Sequence, residues 1–329
     1  MDQTRPSRRT ALYPPAEPAA KGILELDGLH RMYWEASGNE DGIPVVFLHG
    51  GPGAGCHPHH RRYFDPRHYR VVLFDQRGAG RSEPVGELTD NTTQHLVEDL
   101  ERLRAHLEID RWVLFGGSWG SALALAYGEA HPENCLGLIL RGIFLGTRAE
   151  VDWFLNGMGM FFPETHRRFV EYLPADERDD LLAAYYRRLT DPDPEVHMPA
   201  ARSWAAYEGA CSTLRHDVKP VTDQGNGRAA FTLARIEAHY FSNDMFMDDG
   251  ALIDDIGRLE AVPTVIVQGR YDMVCPISNA DALVQAWPGV AGENGLDYHV
   301  IADAGHAASE PGTRAALMAA TEKFKSLRA

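Results

Sequence analysis

The run RWVLF (111–115) passes directly into Gly116-Gly117-Ser118-Trp119-Gly120 and then into SALALAYGEAH, a strand-like segment, a G-x-S-x-G turn and a helix-like segment in succession. A strand that gives way to a helix at so sharp a turn needs small residues on both sides, because a side chain there would collide with the neighbouring backbone. The turn exposes the serine hydroxyl, and the helix N-terminus beneath it favours developing negative charge. That context marks Ser118 as a candidate nucleophile. It also commits the chain to a sheet with helices packed behind it.

The rest of the sequence repeats the rhythm. PVVFLHG (44–50), YRVVLFDQ (69–76), LGLILRGI (136–143), TVIVQG (264–269) and LDYHVIAD (296–303) are β-branched-rich and too short for buried helices. Leu96, Leu100, Leu103 and Leu107 lie on one helical face, opened by Asn91 with Gln94 three residues on, a cap-like start. Further helices are expected near Ser278 to Trp287 and from about Pro311. Near the start, ILEL and HRMYWEA flank Asp27-Gly28, which predicts an antiparallel hairpin with a two-residue turn. Alternating strands and helices give an α/β fold with a mostly parallel sheet. From about Gly146 to Gly250 the rhythm stops, and WFLNGMGMFFPE, DDLLAAYYRRL, ARSWAAYEGACSTL and ARIEAHYFSND read as helical. The expected division is a core in two parts, residues 1–145 and 251–329, with an inserted helical cap domain over 146–250.

A serine nucleophile needs a base to take its proton and a carboxylate to hold that base in the right tautomer. Asp272 follows TVIVQG, and His306 follows LDYHVIAD, so both fall on loops at the carboxyl ends of strands. Asp303 competes for the acid role but lies in the same loop as His306, so Asp272 is preferred. The oxyanion of acyl transfer needs two backbone donors, one after the nucleophile and one from a Gly-rich loop after an early strand. HGGPGAG (49–55) is that loop, and the amides of Gly51 and Trp119 are the candidate donors.

Other motifs carry less. DQRGAGRS (75–82) lacks the Lys-Ser/Thr ending of a phosphate loop and reads as bracing near the site. Cys56, His57, His59 and His60 match no standard metal spacing and read as a solvated loop, so neither metal nor cofactor is expected. Cys56, Cys135, Cys211 and Cys275 show no C-x-x-C spacing and read as reduced thiols in a cytosolic chain.

Charge bounds the partners. With 32 Lys and Arg against 47 Asp and Glu the net charge is −15, so nucleic acid and anionic membrane surfaces are poor partners and a cationic substrate is easier to accommodate. The uncharged apolar stretch Val113 to Gly128 falls short of the roughly 20 residues needed to span a bilayer. Arg5, Arg8 and Arg9 are followed by Pro14, Pro15 and Pro18 where a signal peptide would need apolar residues, which points to a cytoplasmic protein. No motif assigns an oligomeric state.

These segments together resemble the proline iminopeptidase family, the prolyl aminopeptidases of the α/β-hydrolase fold. LYPPAEP, YWEASGN, PVVFLHGGPGAG, DQRGAGRS, GGSWGSALALAYGEAHP, LRGIF, GRYD and AGH carry the resemblance, from about Leu12 to the C-terminal helix. It implies removal of N-terminal proline from small peptides without metal or cofactor. It also implies that cap carboxylates hold the substrate's amine, here Glu208 in SWAAYEG and Glu237 in ARIEAHYF. From LRGIF it implies that Arg141 and Phe144 wall the pocket, with a structural ion pair as the other reading of Arg141. Two positions depart from the family pattern: Tyr207 stands where Trp is common, and Leu155 where Tyr is common. A serine esterase or amidase acting on small neutral acyl groups would share the triad and differ in the cap. A non-catalytic receptor on this fold is a further alternative, whereas an epoxide hydrolase or dehalogenase would want an acid at position 118.

Overall fold

The computed structural model describes residues 11–215, 227–288 and 295–327, so the arginines at the N-terminus lie outside the described residues. Eight strands form one sheet: β1 (Ala20–Glu25), β2 (Arg31–Gly38), β3 (Ile43–Leu48), β4 (Tyr69–Phe74), β5 (Trp112–Ser118), β6 (Cys135–Ile143), β7 (Thr264–Gly269) and β8 (Leu296–Ile301). Their order is β1-β2-β4-β3-β5-β6-β7-β8, antiparallel at β1-β2 and β2-β4 and parallel in every other pair.

The central strands are buried on both faces, and their residues divide with the two-residue period of a strand. Val46, Leu48, Val72, Phe74, Leu114, Leu140 and Ile266 join the core beneath α1 (Thr93–His106), α2 (Trp119–Ala130) and α9 (Ile277–Ala286). Val45, Phe47, Val71, Leu73, Val113, Phe115 and Val267 join a second core with α10 (Pro311–Phe324). Between β6 and β7 the described chain forms only helices: α3 (Arg148–Leu155), α4 (Pro163–Glu171), α5 (Leu181–Leu189), α6 (Pro194–Cys211), α7 (Gly227–Phe241) and α8 (Ala251–Asp254), with short 3-10 turns. Phe154, Phe169, Tyr185, Trp204 and Tyr207 interlock there, with Phe169 stacked 4.3 Å from both Tyr185 and Tyr207. This is an α/β-hydrolase core carrying an inserted helical cap.

Two local expectations are corrected. The β1-β2 hairpin closes through residues 26–30 rather than two residues, because Asp27 Oδ1 accepts from the amides of Leu29 and His30 while its Oδ2 holds Arg77 at 2.6 Å. Helix α1 is capped by Thr92, whose hydroxyl accepts from the His95 amide, and not by Asn91. The Asn91 side chain instead donates to the carbonyls of Arg77 and Glu87 and accepts from Tyr240.

Candidate active site

Ser118 ends β5 and precedes α2 with φ 59° and ψ −130°, a left-handed conformation that costs a non-glycine residue roughly 1–3 kcal/mol and persists only where the surroundings enforce it. The surroundings do so by close approach. A Cβ on Gly116 would overlap the Gly120 carbonyl, and one on Gly120 would overlap the Leu48 carbonyl of β3, so the flanking glycines let α2 begin against two strands. Ser118 is about nine-tenths buried and opens on a cavity of about 350 Å³.

His306 and Asp272 meet beside it. His306 Nδ1 lies 2.8 Å from Asp272 Oδ2, and Asp272 Oδ1 accepts from the amides of Val274 (3.1 Å) and Cys275 (2.8 Å). The carboxylate is thus held at both oxygens and buried, whereas Asp303 is exposed. His306 Nε2, the nitrogen that would take the serine proton, faces Arg141 Nη1 at 3.0 Å. Ser118 Oγ has Cys275 Sγ 4.0 Å away, and no hydrogen bond joins it to His306 among the described residues. Bonds of this kind often close only once substrate is seated.

Gly51 lines the same cavity with φ 105°, and Trp119 is the first residue of α2, so its amide is among those a helix leaves without an internal partner. Gln76 ties these two elements together: its Nε2 donates to the His49 carbonyl (2.9 Å) and its Oε1 accepts from Trp119 Nε1 (2.9 Å). The DQRGAGRS segment braces the glycine loop, with Asp75 accepting from the Cys56 amide and from Arg81, which also reaches Glu35. The neighbouring histidines correct an expectation. His57 is exposed, but His59 and His60 line the cavity, and His60 stacks on Phe47 at 4.2 Å. Burial pushes the His60 imidazole down to about 3, so it is neutral.

Glu208 of α6 reaches the cavity, and its Oε2 is buried without a hydrogen-bond partner. Glu237 of α7 stands behind it, buried, with Oε2 accepting from Trp204 Nε1 at 2.6 Å. Burial raises both carboxyls, Glu208 to about 7, and the Glu208 charge raises Glu237 further. Separation from water disfavours the charged form of both acids. Arg141 lines the cavity and meets no carboxylate among the described residues, so the ion-pair reading does not apply. Phe144 lies outside the cavity wall, packed near Phe241. Tyr207 and Leu155 are also buried away from it, with the Tyr207 hydroxyl donating to the Phe154 carbonyl.

Three contributors escaped the sequence reading. Gln268, in the middle of β7, donates to Asp272 Oδ2 (3.2 Å) and to the Cys275 carbonyl (2.9 Å). A polar residue inside the apolar run TVIVQG was its signal. Gly142 has φ 56°, and a Cβ there would stand 3.0 Å from the His306 ring and 3.3 Å from Asp272 Oδ2. Cys275 faces the Ser118 hydroxyl with a thiol that burial keeps protonated.

The arrangement offers a hydroxyl, an imidazole oriented by a carboxylate, backbone donors, and a pair of buried carboxyls. A family model for the α/β hydrolase fold matches residues 43–313. A probable proline iminopeptidase of Leptolyngbya boryana is 50% identical over 315 residues, covering 95% of this chain and 96% of its own. The proline iminopeptidase of Arabidopsis thaliana is 46% identical over 328 residues, covering 99% and 84%. Among solved structures, the proline iminopeptidase of Mycobacterium smegmatis matches with a TM-score of 0.57 at 19% identity, covering 93% of this chain and 99% of that one, a likeness of fold.

Proposed function

The chain belongs to the proline iminopeptidase family of α/β-hydrolases, and we propose from this that it is a serine aminopeptidase releasing N-terminal proline from small peptides, with Ser118, Asp272 and His306 as its catalytic residues. Asp272 keeps the proton of the neutral imidazole on Nδ1, which leaves Nε2 as the acceptor. Nε2 takes the Ser118 proton as Oγ attacks the prolyl carbonyl carbon. The oxygen of that carbonyl gains the negative charge and is met by the amides of Gly51 and Trp119. As the C–N bond breaks, Nε2 returns the proton to the departing amine. Water, activated in the same way, then hydrolyses the prolyl ester on Ser118 and restores the enzyme.

The helical insertion, residues 146–250, is the cap that selects the substrate, and Glu208 with Glu237 is its amine receptor. The observation that carries this is the unpartnered Glu208 Oε2, buried in the wall of the cavity that holds Ser118. A prolyl N-terminus is a secondary ammonium, and a largely apolar pocket would reject it without carboxylates to replace its water. Among the described residues no helix is long and apolar enough to cross a membrane, and the working compartment proposed is the cytoplasm.

Purified enzyme should cleave prolyl anilide faster than alanyl anilide and leave N-acetyl-prolyl anilide almost untouched, with Ser118→Ala abolishing turnover. Equal cleavage of the acetylated and free prolyl compounds would instead make the protein a general amidase or esterase.

A further inference from the structure

The cavity extends well beyond what a single proline needs. It is lined by Glu208 and Leu233 of the cap, by Ser118, and by His59, Tyr63 and Ser309, and Phe47, Tyr63, Phe115 and Leu317 of its wall belong to the second core. The cap portion carries the carboxyl pair. Among the lining residues the cation is Arg141.

Arg141 stands at the junction, in the cavity wall, so close to the nucleophile turn that a Cβ on Gly117 would overlap its guanidinium. Its Nη1 donates to the His306 carbonyl at 3.1 Å and faces His306 Nε2 at 3.0 Å, and among the described residues it pairs with no acid. Arg314 of α10 lies behind Ser309, to whose carbonyl it reaches at 3.5 Å, and its Nε is buried without a partner. The charges of Arg141 and Arg314 both act on Tyr63, and those of Arg62 and Arg314 on His59. Glu310, the nearby carboxylate, is occupied by the amides of Leu214 and Gly305.

A cavity walled by Glu208 of the cap, the nucleophile Ser118 and the guanidinium of Arg141, which meets no acid among the described residues, with Arg314 behind the wall at Ser309, matches a zwitterion of short length. We propose that Arg141, supported by Arg314, receives the free C-terminal carboxylate of the leaving segment, so that the substrates are di- and tripeptides rather than the N-termini of long chains. The proposal rests on the aminopeptidase reading above. It also gives the Arg141 contact with His306 a purpose. In this structure the guanidinium lies against the lone pair that must accept the Ser118 proton. A bound carboxylate is a stronger acceptor than a neutral ring nitrogen. It draws Arg141 away and frees Nε2, so a free carboxylate raises kcat as well as lowering KM.

The test compares Pro-Ala with Pro-Ala-amide, by release of proline, in wild type and in Arg141→Met and Arg141→Lys. Wild type should favour the acid in kcat/KM by about tenfold or more, the worth of one charge-assisted hydrogen bond. Arg141→Met should bring the ratio close to one whatever its common rate, and Arg141→Lys should fall between. Arg314→Met, remote from the reacting atoms, should lower the ratio severalfold and keeps the test alive if Arg141→Met does not fold. A wild-type ratio near one, or a ratio unmoved by Arg141→Met, overturns the carboxylate receptor while release of proline from the amide leaves the aminopeptidase reading standing. Release from neither compound overturns both.

Discussion

His306 is tied to Asp272 by one hydrogen bond of 2.8 Å, and the other oxygen of Asp272 is filled by the amides of Val274 and Cys275, so the carboxylate cannot turn without losing backbone partners. The imidazole is therefore held in one orientation and one tautomer. Asp272→Asn should fold yet lose about four orders of magnitude in kcat, because an amide at that place can present a donor to Nδ1 and favour the wrong tautomer. Asp303→Asn, at an exposed site, should stay close to wild type. Steady-state kinetics on prolyl anilide decides it, and a reversed pattern would transfer the acid role to Asp303.

The cap carboxyls should separate amine recognition from bond cleavage. Glu208→Gln or Glu237→Gln should lower kcat/KM for prolyl anilide by about one to two orders of magnitude, from charge-assisted bonds worth roughly 1.5 to 3 kcal/mol each. Hydrolysis of a small neutral ester should change little. Parallel loss on both substrates would instead indicate damage to the fold or the triad.

The same pair sets a pH dependence. Burial raises Glu208 from its ordinary 4.5 to about 7, and Glu237 is raised further by burial and by the Glu208 charge. The folded protein thus binds more protons than the unfolded chain between these values. The pair's contribution to stability is full below about 4.5 and declines as pH rises through about 7. Thermal melts from pH 5 to 8 should show this decline in wild type and less of it in Glu208→Gln. Capture of the prolyl ammonium has the opposite slope, since it needs the ionised pair. The ratio of prolyl anilide to neutral ester turnover should therefore rise over that range, and a flat ratio would remove the carboxyls from amine binding.

Gly142 is predicted to be intolerant of even one methyl group. At φ 56° an alanine costs about 1 to 2 kcal/mol from backbone strain alone, and its Cβ would press on the His306 ring and Asp272. Gly142→Ala should lower the Tm by a few degrees, and should cut kcat far more than that instability explains. Wild-type kcat with a lowered Tm would show that the ring has room to move.

The parts legible in the sequence were those governed by local rules. Strand-forming runs from 44 to 269 declared themselves because residues buried on both faces must be almost wholly apolar, and Gly116 to Gly120 because the turn admits few side chains. Asp272 could be preferred over Asp303 because loop position after a strand is a topological matter. Non-local competition hid the rest. Asn91 looks like a helix cap until the carbonyls of Arg77 and Glu87 and the hydroxyl of Tyr240 claim its side chain. Asp27-Gly28 looks like a two-residue turn until Arg77, 50 residues away, binds the aspartate. His60 looks solvated until Phe47 covers its ring.

The helical insertion falls between β6 and β7, so Ser118 lies upstream of it and both Asp272 and His306 lie downstream. Chain synthesis proceeds at about 5 to 20 residues per second, which separates the emergence of the serine from that of its base by roughly ten to forty seconds. Throughout that interval the nascent polypeptide carries a nucleophile turn with nothing to deprotonate it. Reactivity is therefore withheld until the last strand and helix have docked, and any ribosome product truncated before residue 306 is hydrolytically silent while its neighbours are still being made.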